Sequence, residues 1–153
     1  MYKCERYTDS IFYQIEQTAK YCRYLGTQMF QKLHMSVSLE EFAALDVILA
    51  HGAMCQRELA QLILKDRPNT GRILNSLEKK GLIERFVDTK NNRLVRMMSL
   101  TQQGIKVTKE VSESLKNYIG RIPKIFSERD KAELMDLIKR FRISLEQEVE
   151  MKI

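Results

Sequence analysis

Apolar residues recur every three to four positions over most of the chain, a spacing that places them on one face of an α-helix. The longest such stretch runs from about residue 8 to residue 34, with apolar positions from Ile11 to Leu33. The predicted helices cover residues 8–34, 38–52, 55–64, 67–80, 101–120 and 127–150. This pattern predicts a mainly helical protein.

Cap signals indicate where these helices begin and end. Ser38 and Glu41 have the spacing of a capping box, in which each side chain bonds the backbone N–H of the other. Gly52 and Gly81 follow the second and fourth helices, where glycine takes the left-handed conformation that ends a helix. The other predicted N-caps are Asp66, Thr101 and Ser127.

The period of the apolar residues changes from about 3.6 to two after Gly81. Residues 82–87 alternate as in a strand, residues 88–92 are a cluster of polar turn formers, and residues 93–100 predict the return strand. Together they predict one β-hairpin with a basic tip. The expected fold class is therefore mainly α with a small β-hairpin (α+β), in the order α-α-α-α-β-β-α-α.

The positive charge of the chain is concentrated around this hairpin. The formal net charge of all 153 residues is +6. Residues 55–98 contain ten lysines and arginines against five acidic residues, a local excess of five. A localised basic segment fits a polyanionic partner. On charge alone, a solvated surface is an equally good interpretation.

The sequence contains no signal for export or for a membrane span. The first residues lack the apolar run of a signal peptide, and no apolar stretch approaches the roughly 18 residues of a membrane helix. Three cysteines, Cys4, Cys22 and Cys55, are an odd number, which argues against a disulfide framework. We expect a soluble, cytoplasmic protein of one domain's length, with reduced thiols.

Three short helices followed at once by a hairpin are the arrangement of a winged helix-turn-helix, a DNA-binding fold. Its third helix fits the major groove, and the hairpin, or wing, reaches the DNA beside it. Arginine can read guanine, asparagine can read adenine, and amides can bond phosphates. The side chains predicted to read DNA from the helix are Arg67, Pro68, Asn69, Thr70, Arg72, Asn75 and Ser76. The predicted wing contacts are Arg85, Lys90, Asn91, Asn92, Arg93 and Arg96.

Two runs of residues resemble a known family. Residues 77–85 have the pattern Leu-Glu-x-x-Gly-Leu-Ile-x-Arg, and residues 100–104 have the pattern Leu-Thr-x-x-Gly. Joined by a wing that contains Asp88 and Arg93, these runs resemble the MarR family of bacterial regulators. The flanking helices fit that family too, so the resemblance covers nearly the whole chain.

The resemblance implies a homodimer that binds a pseudo-palindromic DNA operator. Its parts would be a dimerisation helix at residues 1–35, a winged helix-turn-helix DNA-binding domain at 36–100 and dimerisation helices at 101–153. The recognition helices would enter successive major grooves, and the wings would follow the minor groove. It also implies that Asp88 holds Arg93, a wing-tip residue that reaches DNA. Because Arg93 lies eight residues before Thr101, one more than is typical of the family, we expect a longer wing tip.

The function that the resemblance implies is transcription regulation by a repressor, which a small aromatic ligand or an oxidant releases from DNA. Many relatives release DNA on binding small aromatic compounds. Cys22 is the candidate oxidant sensor, because the neighbouring cations of Lys20 and Arg23 would favour its thiolate. A small residue of the core is the more common role for such a cysteine.

Other classes of function find less support in the sequence. There is no phosphate-cradling glycine loop, nucleophile elbow or paired-carboxylate motif, so we expect neither an enzyme nor a cofactor. His34 and His51 have no companions at zinc spacing, so we expect no metal site. The alternative function is a winged-helix protein-interaction module without DNA binding of its own.

Overall fold

The computed structural model of the chain describes residues 5–121 and 124–150. The chain divides into two compact units, one ending at Ala43 and the other beginning at Ala44. Cys4 lies outside the described residues. The division into dimerisation helices and a DNA-binding domain remains a prediction.

The described residues form α-helices and a small antiparallel sheet, after a short 3₁₀ turn at Tyr7–Asp9. The helices are α1 (Ile11–Lys32), α2 (Leu39–His51), α3 (Gln56–Ile63), α4 (Arg67–Lys79), α5 (Gln102–Ile119) and α6 (Glu128–Glu146). The strands are β1 (Met54–Cys55), β2 (Ile83–Lys90) and β3 (Arg93–Leu100). The predicted fold class is confirmed. Strand β1 was not predicted, because two residues are too few to show a strand period; Cys55 belongs to it and caps α3 rather than opening the helix.

Side-chain caps set the starts of the helices, as predicted. At α2, the N–H of Glu41 donates to Ser38 Oγ and the N–H of Ser38 donates to Glu41 Oε2, both at 3.1 Å, which confirms the capping box. α1 begins at Ile11 rather than at residue 8, because Ser10 Oγ accepts from the N–H of Tyr13 and caps the helix there. The predicted caps Asp66, Thr101 and Ser127 are confirmed as well.

In the first unit, a glycine brings α1 close to the start of α2. A Cβ at Gly26 would lie only 2.9 Å from the side chain of Leu39, so a larger residue would push the two segments apart. Phe30 and Phe42 pack beside this approach, with ring centroids 6.0 Å apart and tilted planes. Such aromatic pairs add stability beyond the apolar area that they bury.

The core of the second unit presses the inner face of α4 against α3 and β2. The large apolar side chains that are almost fully buried are Leu45, Ile48, Leu59, Ile73, Leu74 and Leu77. Burial of one such side chain contributes about 1.5–3 kcal/mol to folding. Because this stripe faces the core, the opposite face of α4 is left to solvent.

The sheet has the strand order β1-β3-β2, and both pairs are antiparallel. Strands β2 and β3 pair without interruption from Ile83 opposite Leu100 to Lys90 opposite Arg93. The turn is only Asn91–Asn92, and both residues have positive φ, at 53° and 61°, as a type I′ hairpin turn requires. The predicted five-residue turn and longer wing tip are therefore wrong: the residues assigned to the turn extend the strands instead.

The base of the hairpin is tied together where α4 ends and α5 begins. Gly81 has φ 72°, which allows the N–H of Leu82 to bond the carbonyl of Leu77 at 3.0 Å and end α4. Thr101 donates through its hydroxyl to Gly81 O at 2.7 Å and through its N–H to Leu82 O at 3.1 Å. The same hydroxyl accepts from the N–H of Gly104 at 3.0 Å and caps α5. Both family-like sequence patterns thus belong to one hydrogen-bonded junction.

Helix α6 differs from α4, because it has no face buried in the core. It runs for 19 residues, and none of its residues is buried. Its exposed apolar side chains are Leu134, Met135, Leu137, Ile138 and Ile143. Within the described ranges, no helix combines the length and the apolar character that crossing a membrane requires.

We predict that Gly104→Ala destabilises the protein by about 1–3 kcal/mol, the usual cost of overpacking. A Cβ at Gly104 would overlap the backbone carbonyl of Leu82, which the hydrogen bond from Thr101 holds in place. Urea unfolding followed by circular dichroism measures the change. Gly71→Ala is the control, because its Cβ would meet only the flexible end of Gln56, at 3.3 Å. Equal loss of stability in both variants would contradict a role for the junction.

Candidate nucleic-acid interface

Helix α4 is held at its start by contacts on both sides of the short turn that precedes it. The turn begins at Leu64, whose φ of 55° ends α3 in the left-handed conformation. It closes at Asp66, whose Oδ1 accepts a hydrogen bond from the N–H of Asn69 at 2.8 Å. Gln56, the first residue of α3, donates through Nε2 to the carbonyl of Arg67 at 3.3 Å. The first turn of α4 therefore has a fixed position relative to α3.

The outer face of α4 exposes most, but not all, of the side chains predicted to read DNA. The exposed ones are Arg67, Pro68, Asn69, Arg72 and Asn75, and Ser76 is half-buried. The prediction that Thr70 lies on this face is wrong. Thr70 is fully buried and donates through its hydroxyl to the backbone carbonyl of Asp66 at 2.8 Å. It lies three residues before Ile73, on the buried stripe of the helix.

Two of the exposed asparagines are engaged within the protein. Asn69 donates through Nδ2 to Asp66 Oδ2 at 2.9 Å. The side-chain oxygen of Asn75 accepts from the guanidinium of Arg85 at 3.0 Å. Arg85 also lies 3.7 Å from Glu78, measured from Nε to Oε2. The structure thus brings α4 and β2 together through Asn75 and Arg85, which were each predicted to face DNA.

The hairpin of β2, β3 and their turn, here called the wing, has a second contact near its tip. Lys90 Nζ donates to Glu58 Oε1 on α3 at 2.8 Å. Residues 85 and 90 are an odd number of positions apart, so they lie on opposite faces of β2. The wing is therefore held on one face by the contacts of Arg85 with α4 and on the other face by the contact of Lys90 with α3.

The expected pairing of Asp88 with Arg93 does not form. Asp88 Oδ1 accepts from the N–H of Thr89 at 2.7 Å, and among the described residues no ion pair joins it to Arg93. In the hairpin register Arg93 lies directly opposite Lys90, whereas Asp88 lies opposite Val95.

Two cations of the wing remain available to a polyanion, one at its tip and one along its return strand. Arg93 and Arg96 are both exposed. Over residues 5–121 and 124–150, neither has a side-chain hydrogen bond or ion pair. Asn91 and Asn92 are exposed in the turn between Lys90 and Arg93. These residues form a polar and cationic edge of the wing.

Glu58 is the most strongly perturbed acid of this region. The hydrogen bond from Lys90 lowers the pKa of its carboxyl from 4.5 to about 2, and the N–H of Cys55, bonded to Oε2 at 2.9 Å, contributes to the same shift. At the start of α4, the N–H of Asn69 lowers the pKa of Asp66. Both carboxylates are therefore ionised at neutral pH.

The sequence did not reveal Glu58 or Glu78 as part of this region. Glu58 follows Cys55 by three residues, the spacing of a helix-capping acid, so its backbone contact was available from the sequence. Its contact with Lys90 joins residues 32 positions apart, and no local pattern reports such a distance. Glu78 lay within a family-like pattern without an assigned partner.

The other candidate residues do not converge on a site. Cys22 is exposed, so its interpretation as a core residue is wrong, and Cys55 is half-buried. Sensing of oxidants by Cys22 remains a hypothesis.

No group of three or more potential metal ligands occurs in the part of the chain that the structure describes. A cavity of about 330 Å³ lies between the end of α2, β1 and α3, lined by His51, Ala53, Met54, Glu58, Gln61 and Leu62.

Residues 37–95 match the model of the MarR family. The chain matches none of the curated proteins. It is similar in structure to a MarR family transcriptional regulator from Silicibacter pomeroyi DSS, at 17% identity and a TM-score of 0.75, covering 94% of this chain and 93% of that one. It is also similar to MepR of S. aureus in a DNA complex, at 21% identity and a TM-score of 0.73, covering 89% and 98%. A mutant MarR from E. coli in complex with operator DNA matches at 20% identity and a TM-score of 0.72, covering 84% and 90%. At these identities the likeness establishes the fold.

We predict that Lys90→Gln raises the pKa of Glu58 from about 2 towards its ordinary 4.5, because the hydrogen bond from Lys90 is the largest cause of the shift. In the wild type, the stability that Glu58 contributes is complete above pH 4.5 and is lost as the pH falls through about 2. Carboxyl-detected NMR titration measures the value directly. Lys79→Gln is the control. An unchanged pKa in Lys90→Gln would show that the ion pair does not form in solution.

Proposed function

We propose that the protein is a regulator of the MarR family that controls transcription by binding duplex DNA, a proposal supported by the match of residues 37–95 to the model of that family. The observation that carries the proposal is the exposed outer face of α4 beside a wing whose arginines Arg93 and Arg96 have no partner among the described residues. Structures of MepR with DNA and of MarR with operator DNA share this fold. Unpaired arginines on an exposed edge are suited to phosphate and groove contacts.

In this proposal α4 reads the major groove, and the wing contacts the DNA beside it. A groove about 12 Å wide admits a helix, and residues near the N-terminus of a recognition helix reach the base edges. The proposed helix contacts are Arg67, Pro68, Arg72 and Ser76, and the proposed wing contacts are Asn91, Asn92, Arg93 and Arg96. Asn69 already bonds Asp66 through Nδ2, and Asn75 already bonds Arg85 through its side-chain oxygen, so a base would compete with these partners for those two atoms.

We further propose that the protein is a homodimer joined in part by α6. A 19-residue helix with no buried residue leaves its apolar side chains in water, which a partner surface would correct. A two-fold dimer would place two recognition helices roughly 34–36 Å apart, one turn of DNA. Repression relieved by a small aromatic compound is the mode of action that the family resemblance supports.

We predict that Arg93→Ala weakens binding to all duplexes and lowers the slope of log affinity against log salt by about 0.9, the share of one phosphate contact. Arg72→Ala should instead change the preferred sequence, at about 1–3 kcal/mol for the affected base pair. Duplexes selected from a random pool provide the ligands, and fluorescence anisotropy over a salt series measures both effects.

The control for lost charge is Arg129→Ala, which removes an exposed cation of α6 that pairs with Glu133. If the wild type shows no salt-dependent binding to any selected duplex, the proposed DNA binding is wrong and a protein-interaction module is favoured. If the Arg93 and Arg129 variants lose affinity equally, the wing does not make the contact.

We predict that Leu137→Glu shifts the protein from dimer to monomer in sedimentation velocity at micromolar concentration. Leu137 is 56% exposed on the apolar side of α6, where a charge would have to be buried in a dimer. Lys139→Glu, two residues further and on the other side of the helix, should leave the dimer intact. A monomeric wild type, or a dimeric Leu137→Glu variant, would argue against this interface.

A further inference from the structure

The contacts of Arg85 and Lys90 hold the wing in place, and they lead to an inference about DNA binding that rests on the proposed function. We infer that Glu58 is a positioning residue for the wing, and that Lys90 serves to fix the wing through Glu58 rather than to contact phosphate. The sequence pattern had placed Lys90 among the DNA contacts, because it lies at a basic hairpin tip. Its actual partner is a carboxylate of the same chain, 2.8 Å away.

Glu58 is a firm anchor because both of its oxygens are engaged. Oε1 accepts from Lys90, and Oε2 accepts from the backbone N–H of Cys55 at 2.9 Å. The second bond ties the carboxylate to the point where β1 ends and α3 begins. The side chain of Glu58 therefore holds Lys90 at a place defined by backbone, not by another flexible side chain.

The wing needs such an anchor because no third strand of the described residues pairs with its outer half. Strand β1 pairs with β3 only at Met97 and Met98, near the base. Beyond that point the wing is a two-stranded ribbon, a structure that is at best marginally stable in water. Its side chains Val87 and Leu94 are 61% and 80% exposed, so they add little packing. Lys90 is the last residue of β2, and its ion pair acts close to the turn.

The opposite face of β2 has its own anchor, so the wing is held from two sides. Arg85 reaches Asn75 at 3.0 Å and Glu78 at 3.7 Å, both on α4. Because side chains alternate along a strand, Arg85 and Lys90 restrain the wing in opposite directions. The angle between the wing and the recognition helix then depends on both contacts, one to α4 and one to α3.

The two cations at the tip, Lys90 and Arg93, have different roles. A phosphate that bound Lys90 would have to displace an ionised carboxylate, whereas Arg93 has no such competitor among the described residues. Removing Lys90 should therefore cost affinity through the position of the wing, not through the number of counterions released. This difference can be measured, because the two causes have different salt dependences.

The test compares Glu58→Gln, Lys90→Gln, the double variant and Lys90→Arg by anisotropy on a selected duplex over a salt series. Gln at position 58 keeps an oxygen for the N–H of Cys55 but removes the charge, and Arg at position 90 keeps the ion pair. We expect each single Gln variant to bind about three- to five-fold more weakly, the scale of an exposed ion pair. The double variant should be no weaker than either single variant, the salt slope should stay at the wild-type value, and Lys90→Arg should bind like the wild type.

A direct phosphate contact predicts a different result. Lys90→Gln would then lower the salt slope by about 0.9, and Glu58→Gln would tighten binding by freeing the lysine. Either result overturns the inference, and so does wild-type affinity in all the variants. Arg93→Ala, with its lower slope, serves as the positive control for a phosphate contact in the same experiment.

A measurement without DNA separates this inference from the proposed function. Amide hydrogen exchange of residues 88–95 should be faster in Glu58→Gln and Lys90→Gln than in the wild type and Lys90→Arg. If the wild type binds no duplex but this pattern of exchange is found, the proposed function fails and the positioning of the wing stands. If exchange is the same in all four proteins, Glu58 does not position the wing.

Discussion

The winged helix depends on the hydrogen-bonded junction at the base of its hairpin. Thr101 donates hydrogen bonds to the carbonyls of Gly81 and Leu82, and its hydroxyl oxygen accepts a hydrogen bond from the N–H of Gly104. One threonine therefore joins the end of α4, the start of the wing and the start of α5. Because Gly104 has no side chain, α5 can begin directly against the backbone of Leu82. The direction of the wing as it leaves the core follows from these few contacts.

From that base outward, charge replaces apolar burial as the main restraint. The core stripe of α4 and the lower sheet residues are buried, but the outer wing is exposed on both faces. Arg85 and Lys90 are bound by partners on α4 and α3, while Arg93 and Arg96 remain exposed. The basic segment thus contains cations of two kinds, those that hold the protein together and those that face outward. A net charge counted from the sequence cannot separate them.

Much of the fold was predictable because its signals are local. The capping box of Ser38 and Glu41, the N-caps Asp66 and Thr101 and the helix-ending Gly81 each depend on residues a few positions apart. The spacing of the apolar residues, helical in most of the chain and alternating in the hairpin, also placed the six helices and the hairpin in the right order. The family resemblance agreed with this reading and is supported by the match over residues 37–95. Predictions on the two-residue turn at Asn91–Asn92 failed, because polar residues continue a paired strand as readily as they form a loop.

The amino-acid sequence by itself determined the helices, their caps, the hairpin and the basic character of the middle segment, since these follow from propensity and spacing along the chain. The tertiary structure alone decided which of the predicted contact residues face outward. Thr70 is buried in the core because it lies on the buried face of α4. Lys90 and Arg85 found partners on two different helices, and Asp88 did not find Arg93. Each of these outcomes depends on distances between residues far apart in the chain, which are set only when the helices and the wing pack together.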